Sequence, residues 1–334
     1  VRCTAGRHPP ARNCAVMVVI VTGAAGFIGS HLVDRYLADG ATVIGVDNLI
    51  TGAEANLIRA QENPRFTFVN ADVASPWDGL IDEVERRGNR PNLILHFASP
   101  ASPIDYFSFP VATMMANSAG THRCLDAAQH WNCRLLYAST SESYGDPLVH
   151  PQREDYWGNV NPVGPRACYD ESKRFGEALT MTYVRSADAD ARIIRIFNTY
   201  GPRMRPKDGR VVSTFIMQAL QGEPLTIYGD GSQTRSFCYV DDLVDGIVRC
   251  AASDATRGRV VNLGNPEEYT IAQLAQIVSE TLGVPLRVEN RETREDDPSR
   301  RKPDIAVARE LLGWEPKITC ADGLRRTIEY FRGG

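Results

Sequence analysis

The sequence predicts an α/β protein with a doubly wound parallel sheet and, after it, a smaller C-terminal substrate-binding α/β domain. Short β-branched runs alternate with amphipathic helix patterns through residue 200, as in parallel sheets with crossover helices. The first of these runs leads directly into three regularly spaced glycines and a helix pattern. Beyond residue 200 the alternation loosens, which indicates the second domain. Together these observations indicate a Rossmann-type sheet.

The glycines predict a dinucleotide site. Met17–Thr22 has the composition of a buried strand, and a helix pattern continues through Ser30–Ala38. Between them, Gly23 allows a tight turn, Gly26 lets the backbone approach a pyrophosphate, and Gly29 lets the helix pack closely on the strand. The spacing is Gly-x-x-Gly-x-x-Gly, and the strand–turn–helix context gives it weight that the triplet alone would lack.

The next predicted strand, Thr42–Val46, ends at Asp47. An acidic residue about 20 positions beyond the glycine turn is placed to bind the adenosine ribose hydroxyls. Its carboxylate would repel a 2′-phosphate, so NAD is favoured over NADP. The alternative is a solvated aspartate at a strand end.

Four further strands are predicted in this part of the chain, at Phe66–Val69, Asn92–Phe97, Arg134–Ala138 and Arg192–Phe197. Long helices are predicted at Val111–His130 and Cys168–Ala187. In open α/β sheets, ligands bind beyond the carboxyl ends of the strands. Positions that follow the strands are therefore expected to meet the cofactor: Asp72, Val73, Phe97 and Ser99.

A candidate catalytic group lies on the second of these helices. Tyr169 and Lys173 are four residues apart and share one helix face, where the lysine is expected to lower the tyrosine pKa. A tyrosine tuned in this way can take a proton from a sugar hydroxyl. Thr140 can bind the same hydroxyl, and Glu142 adds an acid/base group that alcohol oxidation does not need. The alternative for Tyr-x-x-x-Lys is ordinary helix surface.

Composition excludes several classes of partner. The net charge is -4 and no basic run is present, which argues against nucleic acid or an anionic membrane surface as a partner. No apolar run reaches the ~20 residues of a membrane helix. The eight cysteines form no Cys-x-x-Cys motif, so they predict reduced thiols in a cytoplasmic protein and no metal site.

The chain is predicted to have three parts. Residues 1–16 form an extension without the apolar segment of a secretory signal, and are expected to pack loosely. Residues 17–200 form the NAD-binding domain. Residues 201–334 form most of the substrate domain, interwoven with the first.

The motifs resemble a known group of enzymes. The glycine triplet, Thr-Ser-Glu and Tyr-x-x-x-Lys together resemble the extended short-chain dehydrogenase/reductase superfamily, and within it most closely the UDP-glucuronate decarboxylase (UDP-xylose synthase) family. The resembling segments are Thr140–Pro151, Asp155–Lys173, Ile196–Met204, Asp208–Val212, Tyr228–Val240 and Arg301–Pro316.

The resemblance implies a reaction. Tyr169 would deprotonate the sugar 4-hydroxyl, helped by Lys173 and Thr140, while NAD accepts the C4 hydride. The UDP-4-keto-hexuronic acid formed in this way would lose carbon dioxide, with Glu142 and Arg301 as acid/base partner and carboxylate or water orienter. Reduction at C4 would then give UDP-xylose. By charge pattern alone, the stretch around Arg301 is solvated surface.

The resemblance also assigns binding positions. It places Asn198, Tyr228 and Arg235 around the UDP group, and it implies a homodimer paired through Val111–His130 and Cys168–Ala187. The positions it adds near the cofactor are Phe27, Ile28, Asn48, Thr51, Gly52, Thr199 and Arg210.

The chain departs from the family pattern at four positions. Ser143, Ser172, Met115 and Ala112 stand where valine, glycine, lysine and lysine are usual. These departures leave open some release of UDP-4-keto-pentose with reduced cofactor left behind. The alternative enzyme is a nucleotide-sugar 4,6-dehydratase or 4-epimerase, and the alternative class is a non-catalytic NAD-sensing regulator.

Overall fold

The computed structural model describes residues 16–292 and 300–333. Residues 1–15, which are expected to pack loosely, lie outside this part. Residues 293–299, the charged stretch before Arg300, also lie outside it.

Fourteen strands form four sheets within the described residues. They are β1 (Val18–Thr22), β2 (Thr42–Asp47), β3 (Phe66–Asn70), β4 (Leu93–His96), β5 (Arg134–Thr140), β6 (Ala191–Ile196), β7 (Thr199–Tyr200), β8 (Leu225–Tyr228), β9 (Thr234–Ser236), β10 (Cys238–Tyr239), β11 (Val260–Leu263), β12 (Glu268–Thr270), β13 (Val288–Arg291) and β14 (Arg300–Arg301).

Twelve α-helices accompany them in the described residues. They are α1 (Phe27–Ala38), α2 (Ile58–Gln61), α3 (Asp78–Arg86), α4 (Pro103–Ser108), α5 (Pro110–Asn117), α6 (Ala119–Trp131), α7 (Ala167–Ala187), α8 (Val211–Leu220), α9 (Val240–Ala252), α10 (Ile271–Leu282), α11 (Ala306–Leu312) and α12 (Cys320–Gly333).

The main sheet confirms the predicted fold class. Its seven parallel strands run in the order β11-β6-β5-β4-β1-β2-β3. All five residues of β1 are buried, as expected for a strand covered by helices on both sheet faces. The strand order reverses between β1 and β4, and a crevice opens where the loops after these two strands diverge. The glycine turn and the segment after His96 border that crevice.

The predicted long helix at Val111–His130 is wrong. The structure has two helices, α5 and α6, separated at Ser118, whose backbone angles are φ -107 and ψ -78. The Ser118 hydroxyl donates to the carbonyl of Met114 at 2.6 Å. Such a local bond from serine to the backbone competes with regular helix and often accompanies a bend.

The main sheet also gains a strand from the later part of the chain. β11 pairs with β6 along its whole length, and Val261 and Leu263 are fully buried in the core. The sequence assigned this segment to the region of loosened alternation after residue 200. The boundary at residue 200 remains a prediction, and one strand of the sheet comes from beyond it.

Three smaller sheets lie beyond β6 in sequence. In one of them β9 pairs with both β12 and β14, which puts Arg301 opposite Arg235. The solvated-surface interpretation of the charged stretch is therefore wrong for Arg301, whose exposure is 1%. Gln152 fixes this segment, because its side chain accepts from the Lys302 amide at 2.8 Å.

Gly29 is packed too closely to accept a side chain. A Cβ there would lie 1.9 Å from the carbonyl oxygen of Gly23, so Gly29→Ala must displace α1 from the turn. We expect it to lower the free energy of unfolding by about 1–3 kcal/mol, measured by chemical denaturation. Gly79 is the matched control, because a Cβ there meets nothing within 4 Å and alanine favours a helix. Equal effects of the two alanines would contradict this packing argument.

Candidate active site

A cavity of about 990 Å³ opens at the carboxyl ends of the main-sheet strands. It brings together most of the site residues predicted from sequence, from both parts of the chain. Those that line it are Gly23, Gly26, Phe27, Ile28, Gly29, Thr51, Phe97, Ser99, Glu142, Tyr169, Lys173, Asn198, Thr199, Arg210, Tyr228 and Arg235.

The remaining predicted residues are not among the described residues that line the cavity. Asn48 and Asp72 bond to each other, Nδ2 to Oδ2, at 3.1 Å. The side chain of Val73 is 5% exposed and packs in the core. The others outside the lining are Asp47, Gly52, Thr140 and Arg301.

The glycine turn fits a dinucleotide. Within the described part of the chain, a Cβ on Gly26 would approach only the Gly23 carbonyl oxygen, at 3.2 Å, so its other side is open. Among the described residues no side chain caps the N-terminus of α1, so its free amides can face an anion. Asp47 ends β2 and accepts from the amides of Ala25 and Leu49 at 2.9 and 2.8 Å. These bonds fix a carboxylate beside the turn, where a ribose would lie.

Tyr169 and Lys173 share one face of α7, as predicted, but the expected effect on the tyrosine is wrong for the chain alone. Burial raises the pKa of Tyr169 to about 12, and the hydrogen bond with Thr140 lowers it only in part. The Lys173 Nζ lies 5.9 Å from the Tyr169 ring centroid and donates to the Ala138 carbonyl at 2.8 Å. Burial lowers the pKa of Lys173 to about 7. Desolvation is therefore the largest cause of both pKa shifts.

The low pKa of Lys173 means that this residue lowers the free energy of unfolding at neutral pH. Between pH 7 and about 10 the unfolded state binds a proton that the folded state does not, so stability should rise with pH across this window. We expect Lys173→Met to stop turnover and to raise the free energy of unfolding at pH 7 by about 2–4 kcal/mol.

This gain should fall to less than about 1 kcal/mol near pH 10.5, where half of the lysine in the unfolded state is uncharged. Denaturation at the two pH values measures it. The exposed Lys317 provides the control, since its replacement by methionine should have the same small effect at both. A Lys173→Met variant no more stable than the original at pH 7 would contradict the account.

Glu142 is held by two guanidinium groups. Arg301 donates from Nη1 to Oε1 at 3.1 Å and from Nη2 to Oε2 at 3.3 Å, and Arg166 Nη2 also donates to Oε2. Burial acts to raise the pKa of Glu142, but the charges of Arg301 and Arg166, with that of Arg235, hold it below its usual value. Glu142 is therefore ionised at neutral pH, and it accepts hydrogen bonds and protons.

Sequence reasoning missed three residues here. Arg166 is the N-cap of α7, and its Nε lies 3.8 Å from Asp170 Oδ2. Burial and then Glu142 raise the pKa of Asp170 to about 7. The ring of Tyr106 stacks on that of Tyr169, with 5.1 Å between centroids. Helical spacing from Tyr169 could have indicated Arg166. Tyr106 comes from α4, which no periodicity predicted.

The departures from the family pattern lie behind or away from the cavity. Ser143 is buried, 3.2 Å from the hydroxyl of Ser139. Ser172 is buried too, donates to Cys168 O at 2.6 Å and accepts from Asn117 Nδ2 at 3.0 Å. Met115 is 46% exposed on α5 and is not among the described residues of the cavity wall. None of these three side chains is among the described residues that line the cavity.

Residues 16–292 and 300–333 contain neither a metal-binding cluster nor a membrane-spanning helix. No cluster of three or more His, Cys, Asp or Glu side chains in this part is arranged to hold a metal ion. No helix in it has the length and apolarity needed to span a membrane.

Residues 19–264 match the model of the NAD dependent epimerase/dehydratase family. UDP-glucuronic acid decarboxylase 2 of Arabidopsis thaliana is 50% identical over 329 residues, which are 98% of this chain and 71% of that protein. UDP-glucuronic acid decarboxylase 1 of Xenopus tropicalis is 49% identical over 314 residues, 94% of this chain and 72% of the relative.

Two solved structures of the same architecture contain NAD together with a second ligand. The UDP-glucuronic acid 4-epimerase of Bacillus cereus, in complex with UDP-glucuronic acid and NAD, superposes with a TM-score of 0.85 at 29% identity, covering 95% of this chain and 99% of that one. The dTDP-glucose 4,6-dehydratase DesIV of Streptomyces venezuelae, with NAD and TYD bound, gives 0.84 at 31% identity, covering 95% and 97%. The two relatives that are about 50% identical to this chain are UDP-glucuronic acid decarboxylases. The chain belongs to the NAD dependent epimerase/dehydratase family.

Proposed function

We propose that this enzyme decarboxylates UDP-glucuronate to UDP-xylose through a UDP-4-keto-hexuronic acid. One observation carries the proposal. The cavity sets a tyrosine suited to act on a sugar hydroxyl, Tyr169, beside an ionised carboxylate, Glu142, that two arginines hold. Oxidation of an alcohol needs only the first group. The relatives' names and the second group both support decarboxylation.

Tyr169 is the proposed base for the C4 hydroxyl. NAD, when bound, supplies the reversible oxidation at C4 by accepting a hydride and later returning it. In the chain alone the phenol is protonated at neutral pH. The phenolate must therefore form in the assembled complex, where Thr140 and the Lys173 ammonium are the groups that stabilise it. The same phenol can return the proton when C4 is reduced.

Glu142 and Arg301 serve the second stage. A ketone at C4 is β to the C6 carboxylate, so carbon dioxide can leave as the C5–C6 electron pair moves into an enolate. The enolate then needs a proton at C5. Because Glu142 is ionised and fixed by Arg301, it suits the orientation of a proton-donating water and not direct donation.

The remaining site roles are part of this proposal. NAD would lie along the glycine turn with Asp47 at its adenosine ribose, and the UDP group would lie against Asn198, Tyr228 and Arg235. The open face of Gly26 and the distribution of cavity-lining side chains support this arrangement. The buried side chain of Val73 packs in the core, so a contact of this residue with the cofactor would be made by its backbone.

Incubation of the purified chain with UDP-glucuronate and NAD tests the function. Products are followed by mass spectrometry and NMR, with UDP-glucose in a parallel reaction. We expect carbon dioxide and UDP-xylose from the first substrate and no turnover of the second. Water loss from UDP-glucose, with UDP-glucuronate untouched, would instead identify a 4,6-dehydratase. Interconversion of 4-epimers without loss of carbon would identify an epimerase.

The same reaction measures the product ratio. The departures at Ser143 and Ser172 are buried and hydrogen-bonded behind the site, so any effect on catalysis would act through the position of α7. We propose that some UDP-4-keto-pentose leaves before reduction at C4. UDP-xylose as the sole product, with no reduced cofactor accumulating, would exclude this leak.

We further propose a cytoplasmic homodimer. The six cysteines in the described residues are all free thiols, which supports a reducing compartment. Large apolar side chains are exposed on α5 and α7, including Val111 at 71%, Met114 at 46% and Phe175 at 50%. A second copy of the chain would cover such a surface. Light scattering after size exclusion measures the mass, and a monomer at micromolar concentration would refute the dimer.

A further inference from the structure

The two arginines that hold Glu142 differ in their access to the cavity. Arg166 lines the cavity together with Glu142 and Tyr169, and its side chain is 15% exposed. Arg301 is 1% exposed and is not among the described cavity-lining residues. A ligand that lies beside Glu142 and Tyr169 in the cavity therefore contacts the guanidinium of Arg166 and not that of Arg301.

The bonds of Arg301 point away from a ligand-binding role. Its Nη1 donates to Ser141 Oγ and Glu142 Oε1, both at 3.1 Å. Its Nη2 donates to Glu142 Oε2 at 3.3 Å and to the Gly145 carbonyl at 3.1 Å. Four acceptors of the protein thus surround the terminal nitrogens. A substrate carboxylate would have to displace them in a buried place.

The position of Arg166 relative to Tyr169 matches the shape of a uronic acid. The two residues are three apart, and the Tyr169 amide donates to the Arg166 carbonyl at 2.9 Å within this helical turn. Residues three apart on a helix are neighbours, about 5–6 Å between Cβ atoms. In a hexuronic acid the C6 carboxylate is bonded to C5, next to the C4 that carries the hydroxyl. A hydroxyl at Tyr169 would bring the carboxylate toward Arg166.

A carboxylate can bind beside Glu142 only if a positive group is close by. The wall already holds the ionised Glu142, and Asp170 lies behind Arg166. An incoming carboxylate would be repelled there unless a positive group faced it. Arg166 donates to Glu142 and lies between the two acidic side chains, with its Cζ 6.0 Å from the Tyr106 ring centroid. A planar guanidinium in this place suits a carboxylate.

We infer that Arg166 binds the C6 carboxylate of the substrate and selects uronates over neutral hexoses, while Arg301 is a positioning residue that fixes Glu142. The inference rests on the proposed function, because it takes UDP-glucuronate as the substrate. It assigns the carboxylate contact to Arg166, which lies in the resembling segment Asp155–Lys173 but received no role from the resemblance.

Binding of two nucleotide sugars to the NAD-loaded protein tests the assignment. UDP-glucuronate and UDP-glucose differ only in the charged group at C6, and the Tyr169→Phe background prevents turnover. We expect Arg166→Gln to weaken UDP-glucuronate binding by about 10- to 100-fold and UDP-glucose binding by less than about threefold. Arg166→Lys should recover part of the loss. Arg235→Gln, at the proposed UDP site, should weaken both ligands equally.

The outcomes distinguish failure of the proposed function from failure of the assignment of Arg166. If the parent protein does not prefer UDP-glucuronate over UDP-glucose, the proposed function fails. If the parent prefers it and Arg166→Gln keeps the preference, the inference fails. An equal loss for both sugars in Arg166→Gln would likewise reduce Arg166 to a structural role. Unchanged UDP-glucose binding in the variant shows that the fold is intact.

Discussion

Tyr169→Phe should reduce kcat by about 10²- to 10⁴-fold while leaving the fold intact. The phenol oxygen is the proposed proton acceptor and donor at C4, and no other described side chain both lines the cavity there and bonds Thr140. The phenylalanine ring keeps its stacking on Tyr106, at 5.1 Å, so stability and substrate binding should change little. Steady-state kinetics and thermal denaturation measure the two effects.

Tyr183 offers a matched control on the same helix. Its hydroxyl donates to Asp126 Oδ1 at 2.6 Å, and the side chain is not among those described at the cavity. Tyr183→Phe also removes one phenol oxygen from α7, but it should leave kcat unchanged. A Tyr169→Phe variant that keeps a tenth or more of the activity would contradict the assigned role.

Replacement of Arg301 by methionine should lower the free energy of unfolding by about 2–3 kcal/mol, because the part-buried carboxylate of Glu142 loses one of its two cationic partners. The pKa of Glu142 should rise, since Arg301 provides the largest of the charge interactions that lower it. If ionised Glu142 is required, activity falls as the pH drops through that pKa. The acidic limb of the kcat/KM profile should therefore move to higher pH in the variant.

Arg301→Lys keeps the charge without the paired geometry, so it should restore part of the stability and return the acidic limb toward its original position. Arg325, in an exposed ion pair with Asp322, is the control, and Arg325→Met should change neither measurement appreciably. An unshifted acidic limb in a folded Arg301→Met variant would show that Arg301 does not control the ionisation of Glu142.

The features predicted well from sequence are those that local pattern determines. The strand–turn–helix order around Gly23 and the four-residue spacing of Tyr169 and Lys173 appear in the structure as expected. Both depend on neighbouring residues. The break at Ser118 also has a local cause, but the apolar pattern continues across it and conceals it.

The features that sequence did not predict depend on contacts between distant segments. The burial of Arg301 requires β14 to pair with β9 and Gln152 to hold the adjoining strand. The direction of the Tyr169 pKa shift requires knowledge of burial, which spacing along a helix does not supply. Charge pattern alone placed Arg301 on the surface, and only the family resemblance brought it to the site.

Oxidation, loss of carbon dioxide and reduction should all take place at one site, without exchange of the cofactor. An NMR experiment on the purified protein decides this, with UDP-glucuronate labelled with ¹³C at C6 and ²H at C4 as the substrate. We expect ¹³C-labelled carbon dioxide and UDP-xylose that retains deuterium at C4. The two should form in equal amounts, apart from any UDP-4-keto-pentose that leaks. UDP-xylose without the C4 deuterium, or retention of the ¹³C in the product sugar, would contradict this expectation.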